Sequence, residues 1–286
     1  MSALPPPELN LIGENELVSL DRWALERRSR ALAQALYLGK GVMLCRALGR
    51  YKIYVASDDV GFGAHLMLDG IWEPWLTVFM ARRIQPGMSV VDVGANHGYY
   101  TVMFADLVGP AGRVAAIEPG PRTASLLRRT VSVNGFDARV SVFETAATDS
   151  DGRILTLSSP VDEPKNARIV GDEQAGMSGT VPVTGARLET LLRDWPRVDF
   201  IKVDVEGAEE AMLAGAWPLL RRDRPGLLLE FNAGRCRDPG GLLDRLVLLY
   251  GRLRAVSLDS QPEPVSRATL LSGCQADDWL LWFGGD

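Results

Sequence analysis

The sequence has few of the residues that build disulfide frameworks and metal sites. Its 286 residues include only three cysteines, which are isolated and odd in number. This argues against a disulfide framework and against a thiolate zinc site. The only histidines are His65 and His97, which leaves little room for a histidine metal site or a hydrolase triad. Any chemistry is therefore expected to depend on carboxylates, on Lys202 or on one of these histidines.

Long apolar runs and an excess of positive charge are also absent. No stretch reaches the roughly 18 apolar residues of a membrane span, and residues 1–8 lack the basic start and apolar run of a secretory signal. We therefore expect a cytoplasmic protein without stable membrane insertion. The net charge of −5, with acids and bases interspersed, gives no electrostatic footprint for nucleic acid. A hydrophobic content of 47% is ample for a core.

Residues 90–100 contain the pattern around which the chain is organised. Val90-Val91-Asp92-Val93 is typical of a buried strand, the run from Gly94 to Gly98 predicts a tight loop, and apolar residues at helical spacing follow. Such a loop at the carboxyl end of a strand is where open α/β sheets bind small ligands. The spacing Gly-x-x-x-Gly is not that of dinucleotide binders, and the lysine of a phosphate loop is missing. A pyrophosphate ligand is therefore not favoured.

Two acids accompany this loop. Asp92 can accept hydrogen bonds from a ligand ammonium or hydroxyl group, and Glu118 follows the next predicted strand, residues 113–117. A carboxylate at that position suits a ribose because it accepts from both hydroxyls. The alternative is a structural glycine loop with two solvated acids.

A second chemical centre is predicted at residues 200–206. Strand alternation places Phe200, Lys202 and Asp204, and by extension Glu206, on one face of a central strand. Charged groups there are costly unless they are paired or functional. Two interpretations stay open: a structural pair of Lys202 with an acid, or a role at a cofactor and acceptor.

These residues resemble the S-adenosylmethionine-dependent methyltransferases. Residues 200–209, together with Gly70-Ile71-Trp72-Glu73 and the run 94–101, narrow the resemblance to the FkbM-type methyltransferase family over about residues 52–284. The resemblance implies S-adenosyl-L-methionine as the cofactor and a hydroxyl oxygen of a sugar, glycan or polyketide-type metabolite as the methyl acceptor. It also makes Glu73 a contact of the cofactor's amino group, although Glu73 could instead cap the helix that follows. The expected cofactor contacts are Glu73, Asp92, Gly94, Ala95, Asn96, Gly98, Tyr99, Glu118, Pro119 and Asp204.

The acceptor hydroxyl must also lose its proton. Asp204 is the preferred base, and His65, on a segment predicted to be flexible, is the alternative; Lys202 and Glu206 complete the predicted catalytic set. Asp204, Glu206 and Glu230 could instead hold a magnesium-like ion that lowers the pKa of the hydroxyl. We favour a base acting directly over Mg²⁺.

The predicted fold is α/β: a doubly wound, mostly parallel, seven-stranded Rossmann-like methyltransferase sheet with an N-terminal helical extension. Regular strand–helix alternation after residue 89 supports the parallel sheet. Residues 1–50 form the extension, with helices at 15–37 and 42–48, and residues 51–286 form the methyltransferase domain. The irregular segment 158–179 is interpreted as a lid over the acceptor pocket, with a disordered connection as the alternative.

Two other functions agree less well with the sequence. A nicotinamide-dependent oxidoreductase lacks support because a glycine of the dinucleotide pattern is missing. A non-catalytic subunit or sensor that binds S-adenosylmethionine would not need Lys202, Asp204 and Glu206. The expected partner is a small-molecule or glycan acceptor and not nucleic acid, and the sequence leaves a homo-oligomer open.

Overall fold

The computed structural model describes residues 11–159, 167–272 and 278–285. The described chain starts with helices α1 (Glu14–Ser19) and α2 (Arg22–Leu32). A three-stranded antiparallel sheet follows, formed by β1 (Ala35–Tyr37), β2 (Val42–Ala47) and β3 (Tyr51–Ala56) in the order β1-β2-β3.

The predicted helix at residues 15–37 is interrupted. The chain becomes extended at Leu20, and Asp21 begins α2 by accepting a hydrogen bond from the amide of Ala24 (2.8 Å). The predicted helix at residues 42–48 is wrong, because this segment is β2 and pairs with β1 and β3 on its two sides. The predicted domain boundary at residue 50 falls in the turn between β2 and β3, which pair with each other. The boundary itself stays a prediction.

Helices α3 (Phe62–Leu68) and α4 (Pro74–Ala81) lead to the main sheet. The flexible segment predicted around His65 is wrong, since His65 lies within α3. Gly63 allows close packing here: an added Cβ would lie 3.1 Å from the Cβ of Asp59 and 3.3 Å from the carbonyl oxygen of Ala56.

The remaining elements alternate between strand and helix at residues 89–143, as predicted, and at residues 188–256, with consecutive strands between these two ranges. They are β4 (Ser89–Val93), α5 (Tyr99–Leu107), β5 (Arg113–Ile117), α6 (Pro121–Val133), β6 (Val140–Phe143), β7 (Ala146–Ala147), β8 (Ile154–Ser158), β9 (Arg168–Val170), β10 (Thr180–Ala186), α7 (Leu188–Leu191), β11 (Phe200–Val203), α8 (Glu209–Asp223), β12 (Gly226–Phe231), α9 (Pro239–Tyr250), β13 (Arg254–Val256), β14 (Pro262–Pro264), α10 (Arg267–Ser272) and β15 (Trp279–Phe283).

The main sheet has the order β14-β13-β15-β12-β11-β4-β5-β6. The five strands from β12 to β6 are parallel, and β15 joins β12 antiparallel. This confirms the doubly wound, mostly parallel fold; the seven expected strands are extended by the short, proline-flanked edge strand β14. The chain runs outward in both directions from β4 and β11, so the switch point of the sheet lies between these two strands.

The core occupies both faces of this sheet. Val90 and Phe200 are aligned on neighbouring strands and belong to the apolar cluster that includes α4 and α5, whereas Val91 and Ile201 belong to the cluster that includes α8 and α9. Lys202 and Asp92 are the next aligned pair on the first of these faces. The strand period therefore brings two charged side chains together inside the protein.

Part of the predicted lid segment has regular structure. Strand β9 pairs with β8 in a small sheet ordered β7-β10-β8-β9, and a 3₁₀ helix, Asp172–Gln174, follows it. Residues 160–166 of the segment lie outside the described residues. The lid itself stays a prediction.

The helices that the structure describes are short or carry charged residues. None of them is both long enough and apolar enough to cross a bilayer.

Candidate active site

A cavity of about 900 Å³ opens at the carboxyl ends of β4, β5, β11 and β12. This is the sheet's switch point, where the sequence placed the ligand site. Its walls come from four parts of the chain: the loop after β4, the residues after β5, the residues after β11, and the segment before α4. Strand β9 and the 3₁₀ helix after it contribute a further wall.

The loop after β4 has the tight conformation that the glycine spacing predicts. Gly94 (φ 77°), Asn96 (φ 50°) and Gly98 (φ 93°) all have positive φ. A Cβ at Gly94 would overlap the carbonyl oxygen of Asp204, so glycine lets the loops after β4 and β11 touch. At Gly98 an added Cβ would lie 2.6 Å from the side chain of Leu127. Gly94 and Asn96 line the cavity, whereas Gly98 serves the turn.

Glu118 lies at the cavity wall and is 8% exposed. Its carboxylate accepts hydrogen bonds from the amides of Asn96 (3.0 Å) and Gly120 (2.9 Å), which fix its orientation beside the glycine loop. Burial raises the pKa of Glu118 to about 7, although these two amides oppose the rise. Each carboxylate oxygen keeps a further lone pair for a ligand hydroxyl.

Glu73 reaches the cavity from the segment before α4. It occupies the residue before the helix with φ 41°, but its side chain makes no capping hydrogen bond. Its carboxylate instead accepts a hydrogen bond from the hydroxyl of Tyr100 (2.8 Å). The side chain of Glu73 therefore does not cap α4, which was the alternative prediction.

Lys202 is buried between two carboxylates. Its ammonium lies 3.2 Å from Asp204 and 3.6 Å from Asp92, and it donates to the carbonyl oxygen of Gly94 (3.2 Å). Burial lowers the pKa of Lys202, but Asp204 and Asp92 outweigh it and raise the pKa well above its usual value. Lys202 therefore stays protonated and cannot accept a proton at neutral pH.

The two acids beside Lys202 are in different positions. Asp92 is fully buried, accepts a hydrogen bond from the hydroxyl of Thr101 (2.6 Å), and does not line the cavity. Burial raises its pKa, while Lys202 opposes the rise. Asp204 lines the cavity with 37% of its side chain exposed. Lys202 thus pairs with the buried Asp92 and also contacts Asp204, which lines the cavity. The structural pair and the role at the site, the two interpretations of Lys202, are therefore compatible.

A cluster of acids surrounds Arg235 on the far side of the cavity. Carboxylate oxygens of Asp204, Glu206 and Glu230 lie within 4.8 Å of one another. Arg235 contacts Glu206 (2.9 Å), Glu230 (3.6 Å) and Asp278 (3.2 Å). Burial and the neighbouring acids raise the pKa of Glu206 to about 7 and raise that of Glu230 above its usual range.

Neither histidine reaches the cavity. His65 is exposed on α3 and lies 3.6 Å from Asp69, in a separate groove. His97 is buried and stacks on Phe62, and burial lowers its pKa to about 4, so it is neutral at pH 7. The alternative base predicted at His65 therefore does not line the cavity that contains Glu118 and Asp204.

The structure gathers most of the predicted residues in one place. Among the predicted set, Asp92, Gly98 and His65 do not line the cavity. Sequence reasoning missed the partner of Glu73 (Tyr100), the clamp at Arg235 with Asp278, and an aromatic wall. Trp72, in the run Gly70-Ile71-Trp72-Glu73, was a signal in the sequence for that wall. Nothing in the sequence pointed to Arg235. The wall consists of Phe62, Trp72, Trp75, Tyr99 and Tyr100.

Comparison with known proteins gives a family match and similar sequences. Residues 92–250 match the family model of the methyltransferase FkbM domain. The chain is 29% identical over 164 residues to methyltransferase sdnD of Sordaria araneosa, covering 46% of this chain and 63% of that protein. It is 28% identical over 180 residues to 2-O-methyltransferase NoeI of Sinorhizobium fredii, covering 54% and 70%.

Similar solved structures include methyltransferase FkbM from Methylobacillus flagellatus. That match has 18% identity and a TM-score of 0.42, and it covers 74% of this chain and 53% of the other. The chain thus spans a little under two thirds of the Sordaria protein and about half of the Methylobacillus one. Because the family model covers more than half of the sequence, this chain belongs to the FkbM methyltransferase family.

Proposed function

We propose that the chain transfers the methyl group of S-adenosylmethionine to a hydroxyl oxygen of a sugar, glycan or polyketide-type acceptor. The observation that carries the proposal is the meeting of the glycine loop, Glu118, Glu73 and Asp204 around one cavity. Family membership supports methyl transfer, and the printed name of the Sinorhizobium relative supports oxygen as the accepting atom.

The residues present fit the cofactor. Glu118 is oriented to accept from the ribose hydroxyls, and the loop from Gly94 to Asn96 offers close backbone approach to the methionine half. Glu73, held by Tyr100, can accept from the ammonium group. A cavity of about 900 Å³ is at the upper end of the range for small-molecule sites, which leaves room for an acceptor beside the cofactor.

Asp204 is the proposed base. When bound, S-adenosylmethionine supplies an electrophilic methyl group on a sulfonium. Asp204 would take the proton that the acceptor hydroxyl loses when it is methylated. A positioned base contributes about 10²- to 10⁴-fold, and positioning of the two reactants contributes roughly 7 to 11 kcal/mol.

Two neighbours of Asp204 have supporting roles. Lys202, which stays protonated, holds the Asp204 carboxylate in position at the cavity wall through their 3.2 Å contact. Glu206, with its pKa raised to about 7, has a carboxylate oxygen within 4.8 Å of one of Asp204, and we assign it to take the proton onward. Arg235 already supplies positive charge to Glu206 and Glu230, and this supports proton transfer to a side chain over metal assistance.

The experiment compares Asp204→Asn with Asp194→Asn. Asp194 carries the same group but is 91% exposed and outside the cavity. We expect Asp204→Asn to lower turnover at saturating S-adenosylmethionine by about 10²-fold or more. Asp194→Asn should behave as wild type. Full turnover in Asp204→Asn would refute its role as base.

A further inference from the structure

A second groove adjoins the catalytic cavity. Its volume is about 440 Å³, and Trp72, Glu73 and Trp75 line both the groove and the cavity. The segment 72–75 is thus their common border. A ligand that occupied both the cavity and the groove would have to pass over this border.

The opposite wall of the groove is polar and comes from α2 and the end of α3. Arg30 binds Asp69 (2.8 Å) and Glu26 (3.1 Å), which holds both carboxylates in fixed positions. Arg22 also lines the groove; its Nε is buried and makes no hydrogen bond within the described part of the chain. Its guanidinium carbon lies 4.2 Å from the centroid of the Trp23 ring, which holds it at the groove wall.

The charges of the groove suit a neutral ligand. Arg22 and Arg30 are opposed by Glu26 and Asp69, and Glu73 stands at the border. An anionic chain would meet these carboxylates, and an apolar chain would remove all the charged groups from water without replacing their hydrogen bonds. The groove therefore favours a ligand that is uncharged and rich in hydroxyl groups.

The aromatic side chains narrow the ligand class further. Trp72 packs against His65 with ring centroids 5.2 Å apart, and it borders the groove together with Trp75. A sugar ring presents C–H groups on its faces, which pack on indole, and hydroxyl groups at its edge, which pair with carboxylate and guanidinium groups. Indole beside fixed charged groups matches both requirements.

We propose that this groove, named here the extension groove, binds neutral sugar units next to the unit that is methylated. The acceptor is then an oligosaccharide and not a free monosaccharide. This inference rests on the proposed methyl transfer in the adjoining cavity, and it assigns Arg22, Glu26 and Trp75 to recognition of acceptor length.

The test measures binding to an array of neutral sugars from one to six units, with the protein saturated with S-adenosylhomocysteine. We expect affinity for at least one sugar series to rise about tenfold or more between one and four units. Arg22→Ala and Glu26→Gln should each remove most of this rise. Arg27→Ala is the matched control, because Arg27 is exposed on the same helix and does not line the groove.

The outcomes separate the two proposals. Affinity that is independent of length in every series, or an unchanged rise in Arg22→Ala, would overturn the extension groove while leaving S-adenosylhomocysteine binding intact. Preference for an anionic series would also overturn it. Wild-type protein that binds no S-adenosylhomocysteine would instead refute the function of the cavity.

Discussion

Substitution of Glu118 tests the cofactor site directly. Glu118→Ala removes a carboxylate that can accept two charge-assisted hydrogen bonds from a ribose, each worth roughly 1.5 to 3 kcal/mol. The two amides that now bind Glu118 would turn to water, which returns part of this loss. We expect S-adenosylhomocysteine to bind at least about tenfold more weakly, equal to about 1.4 kcal/mol.

The pH dependence sharpens this prediction. With the Glu118 pKa at about 7, the accepting carboxylate is mostly ionised at pH 8 and mostly protonated at pH 6. Wild-type affinity should therefore fall by about tenfold as the pH drops from 8 to 6, and Glu118→Gln should abolish this dependence.

The contribution of Glu118 to folding stability changes with pH in the opposite direction to its contribution to cofactor affinity. A raised carboxyl pKa means that the folded state holds the proton more tightly than the unfolded chain, so Glu118 contributes less to stability as the pH rises from about 4.5 to 7.

Titration calorimetry at the two pH values makes the measurement. Glu263→Ala is the control, because Glu263 is an exposed glutamate on edge strand β14, away from the cavity. Unchanged affinity in Glu118→Ala at pH 8 would place the ribose elsewhere and refute the site assignment.

Three further predictions concern Lys202, metal ions and the segment 158–179. Lys202→Met leaves Asp92 buried beside Asp204 without its cation, and should lower the free energy of unfolding by about 3 kcal/mol or more at pH 7; a loss under about 1 kcal/mol in urea unfolding would contradict the buried pairing. Dialysis against a chelator should leave turnover unchanged, whereas loss restored by Mg²⁺ would overturn the metal-free mechanism. Replacing 158–179 with a short linker removes β9 from the cavity wall, and should abolish acceptor binding with cofactor affinity within about threefold; normal turnover would refute the lid.

The central fold was predictable because its signals are local and repeated. Buried strands such as β4 are followed by helices several times, and this order is typical of a mostly parallel sheet. The helix predicted at 42–48 failed for the opposite reason. A short apolar run fits a helix or a strand equally well, and the choice is made by pairing with β3.

The part of the candidate site that lies at the carboxyl ends of the strands could be predicted from the sequence. Glu118 and Asp204 line one cavity because β5 and β11, which flank β4, end at the same edge of the sheet. Contacts between distant segments could not be read in the same way. The hydrogen bond from Tyr100 to Glu73 and the clamp of Arg235 on Glu206 depend on how helices and loops pack over that edge. The position of His65 also depended on packing, because residues 62–68 form a helix where the sequence predicted a flexible segment.

Methyl transfer to oxygen is the central claim, and a labelled methyl group tests it most directly. Wild-type protein would be incubated with S-adenosylmethionine carrying a trideuterated methyl group and a set of neutral sugars, and the products examined by mass spectrometry. We expect a sugar with one trideuteromethyl group on oxygen, and loss of that product in Asp204→Asn. Cofactor that binds in the cavity without any labelled product would contradict the account and support a non-catalytic binding role.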